Sequence, residues 1–79
     1  MLNKIIEHFG VENQKKKAIE ELSELIIAIT KNDRNNIIEE LADSTIMINQ
    51  LMLIYKIKDK EIAEIITNKM IRILKKIGD

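Results

Sequence analysis

The sequence predicts an all-α fold: a short N-terminal helix and three long helices, forming an antiparallel helical bundle completed by oligomerisation. Three observations predict it. Apolar residues recur every three or four positions through each long segment, the period of a helix rather than the alternation of a strand. Proline is absent and glycine occurs only at positions 10 and 78, so little in the chain breaks a helix. The breaks fall instead at polar clusters, around Gly10, at 31–36 and at 56–60. Eighteen isoleucines favour strands by propensity, but the periodicity outweighs them.

The segment ahead of Gly10 is the short helix; its apolar part is too brief and too polar for a signal peptide. From about Glu12 to Thr30, Ala18, Ile19, Leu22, Leu25, Ile26 and Ile29 keep the helical spacing. From about Asn36 to Tyr55 the chain is apolar nearly all round, which predicts a helix buried on several sides. Asp33 or Asn36 is its expected N-cap, because a short polar side chain accepts unpaired amide hydrogens there. From about Asp59 to Lys76, Ile62, Ile65, Ile66, Met70 and Ile73 form a further stripe, with Asp59 as the expected cap.

Composition narrows the function. At 79 residues the chain is expected to form a single domain, 1–79, near the lower limit for one self-sufficient core. Thirteen basic residues balance thirteen acidic ones, which argues against a polybasic binder of nucleic acid or membrane surface. One Phe, one Tyr and no Trp leave no stacking platform for nucleic acid. No apolar run approaches the roughly 20 residues that span a bilayer, so a cytoplasmic protein is expected. The absence of cysteine excludes thiolate metal sites and cysteine nucleophiles, and one histidine excludes a multi-histidine zinc site. Any chemistry must rest on carboxylates, amines and amides.

Four acids do not fit a simple solvated face. Glu21 and Glu24 lie three apart on the second helix, and Glu40 and Asp43 have the same spacing on the third. Fifteen residues separate Glu24 from Glu40, and a short connection implies a helix hairpin. Folding back at about Asp33 sets Glu24 level with Ala42, between the two acids of the third helix. Four carboxylates converging with no close basic partner repel one another, and a divalent cation removes that penalty. Oxygen ligands without histidine or cysteine point to Mg²⁺, with Mn²⁺ as the usual substitute. The competing explanation is a solvated acidic face with lysine partners, since Lys17 stands four before Glu21.

Glu20-Glu21-Leu22-Ser23-Glu24, followed by Glu40-Leu41-Ala42-Asp43, resembles the EExxE…ExxD signature of the MazG-like nucleotide pyrophosphohydrolases, in the all-α NTP pyrophosphatase superfamily. Gln14-x-x-Lys17-x-x-Glu20-Glu21 is similar to the lead-in of short, phage-type members, and Glu39 to Ile46 to their "EE-(I/L)-A-D-x-x-I" stretch. Asn68-Lys69-Met70-Ile71-Arg72 resembles the "K-(F/M/L)-x-R" element of the last core helix. The likeness covers about residues 10–73.

The resemblance implies that Glu21, Glu24, Glu40 and Asp43 ligate Mg²⁺ and that Glu20 is the nearby acid serving the attacking water. It implies that Lys69 and Arg72, with Lys17, neutralise triphosphate oxygens, and that Gln14 could reach substrate. A solvated C-terminal helix end is the plainer explanation of Lys69 and Arg72. The implied reaction is hydrolysis of a nucleoside triphosphate to monophosphate and pyrophosphate. The alternatives are a non-catalytic helical interaction module and a nucleotide- or metal-binding regulator. Broad apolar faces on so short a chain, and the family's habit, predict a homodimer or dimer of dimers, each site open to completion by the second protomer.

Overall fold

The computed structural model describes residues 1–78 and holds four helices: α1 (Leu2–Phe9), α2 (Val11–Lys31), α3 (Arg34–Ile54) and α4 (Asp59–Lys76). The described residues contain no strand, so the periodicity prevails over isoleucine's strand preference. The predicted boundaries hold to within two residues.

Each break has a local cause. Gly10 alone separates α1 from α2, at φ 91°, a backbone conformation that side-chain-bearing residues rarely adopt. At the next break, Asn32 takes the left-handed conformation (φ 55°, ψ 34°) and its amide donates to the Ile29 carbonyl. Asp33 then caps α3, its Oδ1 accepting from the Asn36 amide at 3.3 Å. After α3, Lys56 is left-handed; its amide donates to the Leu53 carbonyl and that of Ile57 to Met52. That pairing is a Schellman motif, which satisfies carbonyls left over at a helix end. The cap of α4 is Lys58 rather than the expected Asp59: the Lys58 amide donates to Glu61 Oε2 at 2.8 Å, so the acid three residues inside the helix performs the capping.

The molecule is a hairpin with two appendages. α2 and α3 pack antiparallel along their length, and α1 folds back across both. Their seam is built from small or flexible side chains, with Ala18, Ala28, Ser44 and Met47 buried. α4 stands apart, with no residue pair within 8 Å (Cα–Cα) of another helix. The expected burial of α3 on several sides is therefore not met within one chain. Its back face leaves Ile38, Leu41, Ile46, Ile48 and Leu53 exposed, and α4 leaves Ile65, Ile66, Met70, Ile71, Ile73 and Leu74 exposed. Among the described residues no helix is long and apolar enough to cross a membrane.

Candidate metal centre

The hairpin turn sets which residues meet. Partners across the seam stand symmetrically about Asn32: Glu21 and Asp43 lie eleven residues to either side, Glu24 and Glu40 eight. The expected fold at about Asp33 agrees with a turn formed by Asn32 and the α3 cap Asp33. The two acidic pairs come alongside, and the charge of Glu24 acts on Glu40.

Two carboxylate triads result, sharing Glu21. Oxygens of Glu21, Glu40 and Asp43 lie within 4.8 Å of one another, as do those of Glu20, Glu21 and Glu24. Helical spacing alone explains the second triad; the first needs the hairpin. Close approach of the backbones is secured by Ser44, whose Oγ donates to the Glu21 carbonyl at 3.4 Å. A larger side chain at 44 would force the helices apart.

Glu21 is the centre of this arrangement and is 7% exposed. Its Oε1 pairs with the Lys17 ammonium at 3.1 Å, and Lys17 also reaches Glu20 at 3.7 Å. The cluster thus has one close basic partner, the lysine whose spacing four before Glu21 offered it. Lys17 is held above its usual pKa, first by the hydrogen bond to Glu21 and then by the charges of Glu20 and Glu21. One lysine does not satisfy the cluster. Glu21 Oε2 and Glu40 Oε2 are buried with no hydrogen-bond partner. Buried carboxylate oxygens without partners are costly, and these two fit a hard divalent cation, which would satisfy both.

Electrostatics agree. The Glu40 carboxyl is pushed above its ordinary value, first by loss of water around it and then by the negative charges of Glu24, Glu21 and Asp43. A bound cation would reverse that push. Beside the acids lies an open cleft of about 300 Å³ lined by Lys17, Glu21, Asp43, Ile46 and Met47. Its floor joins charge to an apolar wall, suited to a phosphate chain continuing into a less polar group.

The remaining expected site residues lie elsewhere. Lys69 and Arg72 sit on α4, which does not pack against the hairpin, so one chain does not bring them to the acids. Gln14 is 7% exposed and turned into the seam, where its Nε2 donates to Gln50 Oε1 at 2.8 Å. That placement removes it from the face expected to meet substrate. Gln50, 2% exposed, was missed by the sequence reading, although it continues the stripe of Asp43 and Met47. Tyr55, the only tyrosine, lies near the open end of the hairpin with the Lys15 ammonium 5.5 Å from its ring centroid.

The chain matches the family model described as the MazG nucleotide pyrophosphohydrolase domain over residues 9–77. No curated protein and no solved structure matches it. The matched span contains α2, α3, α4 and both carboxylate triads, and the family uses a divalent metal. A match over nearly the whole chain, with acids gathered at the seam between two helices, places this protein in the MazG nucleotide pyrophosphohydrolase family.

Proposed function

We propose that this chain hydrolyses nucleoside triphosphates, ribo- or deoxy-, between the α and β phosphates, releasing nucleoside monophosphate and pyrophosphate. The observation that carries the reading is a buried, partnerless oxygen on each of Glu21 and Glu40, two acids whose carboxylates share a triad with Asp43 across the seam. Glu21, Glu24, Glu40 and Asp43 hold Mg²⁺, for which Mn²⁺ can substitute. When bound, the metal neutralises phosphate charge and acidifies water.

The chain's own residues then have separate tasks. Glu20 is more exposed than Glu21 and belongs to the outer triad, so its carboxylate is free to take the proton of the attacking water. The water oxygen forms a bond to the α-phosphorus as the bond to the bridging oxygen breaks, and pyrophosphate departs. Lys17, which lines the cleft, would pair with phosphate oxygens there through its ammonium group. Ile46 and Met47 form the apolar wall beside the nucleoside.

A homodimer, or a dimer of dimers, completes the molecule. A compact protein of 9.2 kDa exposes roughly 4,900 Å² of surface, whereas this chain exposes 6663 Å², an excess of about 1,700 Å². Covered on both of two protomers, that excess falls in the range of obligate interfaces, about 2,000–5,000 Å² in total. In such an assembly Lys69 and Arg72 come to the phosphates from a second protomer. A panel of nucleoside triphosphates with Mg²⁺, analysed for monophosphate and pyrophosphate, tests the activity. Turnover yielding those two products is expected; metal-dependent binding without turnover would instead indicate a regulator.

A further inference from the structure

The α2–α3 seam contains a polar contact with no part in the chemistry above. Gln14 Nε2 donates to Gln50 Oε1 at 2.8 Å with both side chains buried. Gln50 Nε2 finds only Met47 Sδ, at 3.9 Å, a weak acceptor. Burying two amides brings a desolvation cost that an apolar pair of the same size would avoid. What the amides add is direction, because a hydrogen bond fixes relative position where apolar contact does not.

Direction is needed at this place. The turn at Asn32 fixes one end of the hairpin, and Gln14 and Gln50 stand eighteen residues to either side of it, near the open end. Between turn and amides the buried side chains are mostly small: Ala18, Ala28 and Ser44, with the pliable Met47. α1 crosses the open end but buries none of its own side chains. A slide of one residue moves a helix by about 1.5 Å. Metal–oxygen distances tolerate about 0.2 Å. The acids lie between the turn and the amide pair, so an error at the open end is passed to them.

We propose that Gln14 and Gln50 form a positioning clasp that holds Glu21 opposite Glu40 and Asp43 in the register a divalent cation requires. The clasp rests on the metal-binding reading of those acids. It touches neither cation nor substrate and acts through the alignment of α2 with α3.

The test replaces both amides by unbranched apolar groups of like length, Gln14→Met with Gln50→Met. Calorimetric titration with Mg²⁺ and with Mn²⁺, without nucleotide, is read beside urea unfolding of the metal-free protein. The double variant is expected to match or exceed wild-type metal-free stability and helicity, yet to bind either cation at least tenfold more weakly. Binding within twofold of wild type would overturn the clasp while leaving the metal reading standing. Failure of the wild-type protein to bind either cation would overturn both. Should the double variant not fold, Gln14→Asn draws the amide back by one methylene, and unchanged cation affinity there overturns the clasp equally.

Discussion

Glu21 shows how one side chain comes to serve two masters. Its Oε1 is committed to Lys17 at 3.1 Å, while Oε2 is buried without a proton donor, in a residue whose carboxylate gathers with those of Glu40 and Asp43. The metal-free cluster is therefore held by one lysine, and the Glu40 carboxyl is raised above its ordinary value, first by loss of water around it and then by like charge. For an acid whose folded pKa is raised, the folded state holds the proton more tightly than the unfolded chain. Glu40's contribution to the stability of the metal-free protein is then fully present below the ordinary value near 4.5 and is lost as pH rises through its raised value. Thermal melts across that window should show this decline, and Mg²⁺ affinity should rise in step, because cation and proton compete for the same oxygens. Asp43→Asn removes one charge while keeping the shape. Even changes outside a metal's ligands cost about 10–100-fold in affinity or activity, so loss of a ligand should lower Mg²⁺-dependent hydrolysis by at least about 100-fold. Circular dichroism should show the helices unchanged and metal-free melting no lower than wild type. Full activity in Asp43→Asn would remove that residue from the metal set.

The helices themselves were largely legible in the sequence. Apolar spacing located α2, α3 and α4 because each has a face to bury, and Asp33 announced the start of α3 through ordinary capping chemistry. Less legible was the finer register of the hairpin: a turn at about Asp33 brings the acidic pairs alongside but does not say which side chains become buried. The four acids could be read from their spacing. The burial of Gln14 and Gln50 could not, since a glutamine on a helix face gives no sign of whether water or another amide meets it. Nor could the sequence show that α4 leaves the hairpin, because an apolar stripe does not say which chain covers it. The link to α4 carries its own mark of strain at Lys56, in left-handed conformation at φ 56°. A residue with a side chain gives up about 1–2 kcal/mol there, and glycine returns about 0.5–1 kcal/mol of that as chain entropy. Lys56→Gly should therefore stabilise the protein by about 0.5–1 kcal/mol in urea unfolding, within those opposing terms. An unchanged midpoint would mean that the Schellman hydrogen bonds already offset the strain.

At the scale of the whole molecule, one chain is more open than a compact domain, which is what supports the proposed dimer. Its radius of gyration is 15.4 Å, against about 12 Å for a compact domain of this length. A helix such as α4 with no tertiary contact is only marginally stable in water, since helical stability in proteins comes mostly from packing an apolar face. Ile66→Asp with Ile73→Asp, on that exposed face, should convert a sedimenting dimer to monomer and lower its melting temperature. A double variant that remains dimeric would place the interface on the back of α3. Cation binding should also register globally: a ligand held only by the folded state adds about 2.7 kcal/mol at a hundred times its dissociation constant. For a domain this small that corresponds to a rise in melting temperature of roughly 10–20 °C. The proposed reaction requires that the carboxylates between α2 and α3 direct water to the α-phosphorus of a nucleoside triphosphate. Hydrolysis in water enriched in heavy oxygen, with Mg²⁺ and mass analysis of both products, tests it most directly. The predicted result is label in the nucleoside monophosphate, none in pyrophosphate, and turnover lowered at least about 100-fold by Asp43→Asn. Label in pyrophosphate, release of orthophosphate, or undiminished turnover by Asp43→Asn would contradict it.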